Sequence, residues 1–333
     1  VVRDFKELLQ AKWCERKFVC VGLDSDASKL PVRHLGLRDI EGLLKAQAHY
    51  TEYMKYLADP ENYEKQHSKV VPPLAQWEKR LLGRAQLAFN KQHIKANSEV
   101  AAAFKPNAAF YEAVGDAGWW ALQQTIQFVN KNAPSVPVIQ DGKRGDIGNT
   151  NIGYVMAAAL ADAVTVPPYM GWESLKPVLD QKHKGVFVLA KTSNPGSGEF
   201  QDLEVHLGAY YADTCEAMRG PLYVRVASHA ASPNSWNYNG NCGVVAGATY
   251  PEEVAKIRRI IGDDVPMLNP GVGSQGGGLK PTVLAAVNRR GNGFLVNNSG
   301  KVNFASPDAD FAEAGHVVVV QMNDDINAVL AAA

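Results

Sequence analysis

Two carboxylates and an ammonium, Asp141, Lys143 and Asp146, are spaced Asp-x-Lys-x-x-Asp directly after the short apolar run 136–139. Such a run reads as a buried strand, and residues 147–160 that follow it read as a helix. The charges therefore fall in a strand-to-helix turn, where α/β proteins hold reacting groups. An ammonium fixed beside carboxylates can stabilise a developing negative charge and hand over a proton. The same residues also suit a plainer arrangement, with Asp146 capping the helix and Asp141 paired with Lys143 in solvent.

The elements that must position this turn alternate along the chain. Compact apolar runs at 18–23, 100–104, 136–139, 163–166, 185–190, 243–246, 266–268 and 293–296 read as eight strands. Helical patterns lie between them near 119–130, 147–160, 172–179, 207–218, 251–261 and 281–288, with a last one after Asp308. Ahead of the first strand, Asp4 can cap a helix that sets Phe5, Leu8, Leu9 and Trp13 on one face. Eight alternating strands and helices predict a (β/α)8 TIM barrel spanning residues 1–333 as one domain. No G-x-G-x-x-G turn follows the first strand, which argues against an open dinucleotide-binding sheet. Residues 27–99 read as a helical insertion after the first strand. One helical pattern covers 43–57 and another carries Leu74, Trp77, Leu81, Ala85 and Phe89, with breaks at Pro60 and Pro72-Pro73.

In such a barrel the chemistry gathers at the C-terminal strand ends. Those ends deliver Asp24, then Lys105 with Asn107, then the Asp141 cluster, then Lys191-Thr192-Ser193-Asn194. Later strands end in Gly247-Ala-Thr249, in a glycine-rich run from Pro270 to Gly278 that includes Gln275, and in Asn298-Ser299-Gly300-Lys301. Turn and cap chemistry accounts for many of these glycines, asparagines and hydroxyls singly. It does not account for two lysines and several aspartates converging on one mouth.

Composition narrows the partners. Lys+Arg and Asp+Glu are both 34, so no global field gathers nucleic acid or an anionic membrane. Cys14, Cys20, Cys215 and Cys242 form no C-x-x-C pair, which fits a reducing cytoplasm and signals neither a zinc site nor a disulfide framework. No apolar run reaches the ~18 residues of a membrane span.

Five pieces carry a resemblance: Val21-Gly-Leu-Asp24, Phe104-Lys105-Pro-Asn107, the segment from Asp141 to Thr150, Lys191-Thr192-Ser193-Asn194-Pro195 and Pro270-Gly-Val-Gly-Ser-Gln275. In this order they resemble the orotidine 5'-monophosphate decarboxylase family. The resemblance implies decarboxylation of orotidine 5'-monophosphate to uridine 5'-monophosphate, with no metal or organic cofactor. It assigns catalysis to Lys105, Asp141, Lys143 and Asp146, with Lys143 as proton donor. It gives Asp24 and Lys105 to the ribose hydroxyls and the lysine network, Asn107 to a supporting contact there, Ser193 to the pyrimidine edge with Thr192 also among the substrate-binding residues, and Pro270 and Gln275 to a phosphate-closing lid. It further implies a homodimer in which Asp146, Ile147 and Thr150 reach the partner subunit's site. One position departs. Gly300, between Ser299 and Lys301, stands where the family has an arginine for the substrate phosphate. Lys301 then either serves the phosphate as a point charge or is a solvated lysine at a helix start. Two other readings stay open: a metal-dependent sugar-phosphate decarboxylase or aldolase with the same motif, and a non-catalytic nucleotide-binding relative.

Overall fold

Side chains on a strand point alternately to opposite faces, and most strands of this chain are apolar on both. In the computed structural model, which describes residues 3–207, 219–273 and 275–333, eight of them form one parallel sheet that curls into a barrel. In chain order the strands are β1 (Val19–Gly22), β2 (Ala103–Lys105), β3 (Ile139–Gln140), β4 (Ala163–Val166) and β5 (Gly185–Lys191). A separate antiparallel hairpin, β6 (Glu204–His206) and β7 (Arg219–Pro221), precedes β8 (Cys242–Ala246), β9 (Met267–Asn269) and β10 (Phe294–Asn298). Neighbours in the sheet run β2-β1-β10-β9-β8-β5-β4-β3. Two single bridges, Phe104 to Val138 and Asn107 to Asp141, join β2 to β3 and close the ring.

The alternation sorts residues into two cores. Cys20, Ala103, Ile139, Ala163, Phe187, Val245, Leu268 and Leu295 pack together inside the barrel. Their chain neighbours, among them Val21, Phe104, Val138, Val186, Val244 and Val296, pack outward under the helices. The lower end is plugged by α1 (Phe5–Cys14), whose Phe5 and Leu9 join the inner core. Asp4 caps this helix as expected, its carboxylate accepting the Glu7 N–H at 3.1 Å.

Between β1 and β2 the chain forms α2 (Ile40–Ala58), α3 (Pro60–His67) and α4 (Gln76–Asn97). The break expected at Pro60 separates α2 from α3, and Pro60 itself opens α3: at a helix's first position its missing N–H forfeits no bond. After β2 come α5 (Ala108–Glu112) and α6 (Asp116–Asn132), after β3 α7 (Gly148–Ala157), and after β4 α8 (Gly171–Leu179). The β5 crossover holds α9 (Gly198–Gln201) and α10 (Leu222–Ala231); α11 (Pro251–Ile261) and α12 (Leu279–Ala286) follow β8 and β9. The chain closes with α13 (Gly300–Asn303) and α14 (Phe311–Ala331).

Two elements differ from expectation, and one expectation falls outside the described residues. The third strand begins at Ile139 rather than 136, since Pro137 has no N–H to give the ladder. The helix expected over 207–218 lies, apart from Leu207, outside the described residues. The helix found in that crossover is α10, whose β-branched Val224 and Val226 mask a helical spacing of buried Tyr223, Val224, Ala227 and Ala230. No helix among the described residues is long and apolar enough to cross a membrane.

Candidate active site

Two residues beyond each inner-core position the same face of the strand continues, so Lys105, Asp141, Thr165, Leu189 and Asn297 form the next layer up. These five line the floor of a cavity of about 480 Å³ at the C-terminal end of the barrel. Asp24, Asn107, Lys143, Thr192, Ser193, Pro270, Gln275, Ser299 and Gly300 also line it.

Asp141 holds the centre. Its two carboxylate oxygens accept Lys105 Nζ and Lys143 Nζ, each at 2.7 Å, and Thr165 Oγ1 donates to it at 2.8 Å. Burial opposes both buried charges, yet the pairing prevails. Asp141 and Asp24 hold the Lys105 ammonium above its ordinary range, and Lys105 and Lys143 hold the Asp141 carboxyl well below the usual carboxylate range. The lysines are not equivalent. The Lys105 side chain is 4% exposed and that of Lys143 is 48% exposed, so Lys143 is the one that can meet a ligand. Lys143 also has a left-handed backbone, φ +48°, kept in place by its N–H donating to Thr165 Oγ1 at 3.0 Å. A non-glycine residue held this way costs energy, and such strain gathers at functional positions.

The wall facing Asp141 is braced just as closely. Thr192 N–H and Oγ1 bond Gln201, and Thr249 Oγ1 donates to the Ser193 carbonyl. A Cβ on Gly247 would stand 2.7 Å from the Ser193 backbone, so only glycine lets β8 approach there. At Gly271, φ +99°, a Cβ would meet Gln275 Oε1 at 2.9 Å and Ser193 Cβ at 3.0 Å, which places Gln275 beside Ser193 at the cavity edge. Lys301 does not line the cavity; its Nζ lies 2.8 Å from where a Cβ on Gly273 would stand, against the glycine-rich turn. Asn107 lines the cavity while its Oδ1 caps α5 through the Ala109 N–H.

Asp146, Ile147 and Thr150 are not brought to this cavity. The Asp146 carbonyl accepts Ser174 Oγ and its carboxylate accepts the Ile147 N–H, both at 2.7 Å, while Ile147 is 60% exposed. Within one chain the charge row thus comprises Lys105, Asp141 and Lys143; Asp146, expected to act across a subunit interface, is not brought to its own chain's cavity. Nor is Asp146 the N-cap of α7, a position taken by Ile147. Three floor residues were not expected in the site, the apolar Leu189 and the polar Thr165 and Asn297. The missed signal was a polar residue at an inward position of an apolar strand, Ala163-Val-Thr165 and Leu295-Val-Asn297.

A closed parallel barrel with an alternating lysine–aspartate–lysine row at the strand ends defines the class: a (β/α)8 barrel whose site is electrostatic. The profile of the Orotidine 5'-phosphate decarboxylase / HUMPS family matches residues 87–314, and the chain belongs to that family. An orotidine 5'-phosphate decarboxylase of Cupriavidus metallidurans is 35% identical over 327 residues, 97% of each chain. One of Halorubrum lacusprofundi is 46% identical over 226 residues, covering 67% of this chain and 75% of its own. The structure of Leishmania donovani OMP decarboxylase is similar with a TM-score of 0.69 at 32% identity, covering 99% of this chain and 100% of that one. The structure of Leishmania donovani UMP synthase is similar with a TM-score of 0.72 at 32% identity; this chain spans 98% of its own length and 57% of that protein.

Proposed function

We propose that this chain decarboxylates orotidine 5'-monophosphate to uridine 5'-monophosphate and CO2, in de novo pyrimidine synthesis in the cytoplasm. The observation that carries the reading is the buried Lys105–Asp141–Lys143 row under an open cavity, with Lys143 alone free to reach a ligand. When the carboxylate leaves the ring as CO2, its bonding electrons stay in the ring plane, where the π-system cannot spread them. An ammonium already aimed at that carbon stabilises the charge and then supplies the proton that completes the product. Asp141, held ionised, makes a second anion beside it costly, and loss of CO2 relieves that repulsion. Asp24 and Asn107 serve the ribose, Thr192 and Ser193 the pyrimidine edge, and Pro270, Gln275 and Ser299 the phosphate end. A spectrophotometric assay with orotidine 5'-monophosphate should show turnover unaffected by a chelator. Loss of activity on chelation would favour a metal-dependent relative, and binding of uridine 5'-monophosphate without turnover a non-catalytic one.

The reading includes a homodimer with shared sites, to which Asp146, Ile147 and Thr150 contribute across the interface. Its support is an apolar surface around α7: Ile147, Ile152, Met156 and Tyr169 are 60%, 48%, 72% and 88% exposed, more than a lone chain normally leaves in one region. Lys143→Ala and Asp146→Ala variants, each nearly inactive alone, should regain activity when mixed, because a hybrid dimer carries one intact site. No recovery despite demonstrated subunit exchange would exclude sharing.

Gly300 gives a further expected result. A Cβ there meets nothing within 4 Å, so an arginine has room. A charge-assisted pair to phosphate contributes roughly 1.5–3 kcal/mol, and ~1.4 kcal/mol is a factor of ten in rate. Gly300→Arg should therefore raise kcat/KM about tenfold. Lys301→Ala is the control: a large loss there would show that lysine already holds the phosphate and would predict little gain from the arginine.

A further inference from the structure

A second cavity, of about 410 Å³, lies behind β3 and β4, on the opposite face of the sheet from Asp141. Trp119 of α6, Tyr154 of α7, Val178 of α8 and the outward-facing Val164 give it an apolar, partly aromatic lining. Its volume falls in the range of ligand sites, and its wall carries a few convergent polar groups as such sites do.

Two of those groups lack partners. Gln140 is 5% exposed and Asn151 1%, both line the cavity, and among the described residues neither Gln140 Oε1 nor Asn151 Oδ1 meets a donor. Asn151 cannot turn to escape this, because its Nδ2 donates to the Ser174 carbonyl. A buried acceptor without a donor is costly, so the cavity calls for something that brings N–H or O–H groups. The charged groups on its wall are already engaged. Arg144 pairs with Glu112, and Lys184 Nζ donates to the carbonyls of Ala158, Ala159 and Ala161. Lys184 thus has its three N–H donors committed to three carbonyls, so an entering anion would find no free donor there.

We propose that this cavity is a binding site, separate from the one above, for a small neutral ring with two N–H donors, of the cyclic imide or urea kind. One donor meets Gln140 and the other Asn151, while the ring face lies among Trp119, Tyr154 and the valines. The site shares a wall with the first cavity through Thr165, and Gln140 directly precedes Asp141. The inference does not depend on the activity proposed above.

The test uses the whole protein and uracil as the probe, followed by ligand-observed NMR with excess uridine 5'-monophosphate occupying the first cavity. Uracil should bind saturably with a Kd below about 1 mM. The same ring with both N–H groups replaced by N–CH3, 1,3-dimethyluracil, should bind at least about tenfold more weakly. Val178→Trp, which fills the cavity from the helix side, should remove uracil binding and leave uridine 5'-monophosphate binding unchanged. No saturable uracil binding, or equal binding of the two rings, would overturn the proposal: the cavity would then hold water or any apolar molecule. The comparison of the two rings needs no variant and stands even if Val178→Trp does not fold.

Discussion

Lys143→Ala is expected to lower turnover of orotidine 5'-monophosphate by about 10³-fold or more while the protein stays folded. A positioned proton donor contributes roughly 10²–10⁴-fold, and in the proposed mechanism the same ammonium would also stabilise the carbanion before protonation, an electrostatic effect of similar size. The fold should survive because the side chain is 48% exposed and is tied down only by Asp141. Alanine keeps the same φ +48° backbone, still anchored by the N–H bond to Thr165. Product affinity should change little, since the ammonium matters chiefly in the transition state. Thermal unfolding, product titration and single-turnover kinetics on the purified variant check the three parts. Turnover within tenfold of the parent would remove Lys143 from the role of proton donor.

Asp141→Asn should act on the fold itself. The substitution keeps the shape and removes the charge that compensates Lys105, whose side chain is 4% exposed. Breaking a buried pair on one side costs roughly 3–5 kcal/mol, so denaturant midpoints should fall accordingly. The pH dependence has a definite sign. Asp141 has a depressed folded pKa, so its contribution is present above the ordinary value of 3.8 and is lost as pH falls through the folded value. Lys105 has a raised one, so its contribution is fully present below 10.5 and is lost as pH rises through the folded value. Asp141→Asn should flatten the acid limb of the stability profile. Adding Lys105→Met should restore part of the loss, because the uncompensated charge is then gone. A single variant within about 1 kcal/mol of the parent would show that water, not Asp141, solvates Lys105.

Much of this was legible in the residues, for identifiable reasons. Strand ends are where apolar runs meet charge, so Asp24, Lys105, Asp141 and Ser193 could be placed at one mouth before any coordinates. Thr165 and Asn297 were not, because a single polar residue inside an apolar strand looks like noise until the alternation of faces is known. Asp146 stands apart from its own chain's row, as a residue expected to serve the partner subunit's site would, and sequence spacing alone does not say which of the two sites it joins. In the β5 crossover, the helix Leu222–Ala231 went unread, because Val224 and Val226 weaken its local helical signal and its packing face shows only against the barrel. Pro60 ends the first helical pattern as expected, but that it also begins α3 was not legible, because a proline that ends one helix and a proline that begins the next look alike in sequence.

The barrel is closed between β2 and β3 by single bridges, whereas β5 is laddered to β8 along most of its length. Lys105 stands on one side of that seam and Asp141 on the other. The ionic contact at the heart of the site is thus also a stitch across a join that is bridged rather than laddered. Backbone amides at residues 138–141 should exchange with deuterium well before those of β5 and β8. Partial opening there would part Lys105 from Asp141 while the rest of the ring is still intact, so mild heat or denaturant should silence the protein before it unfolds it.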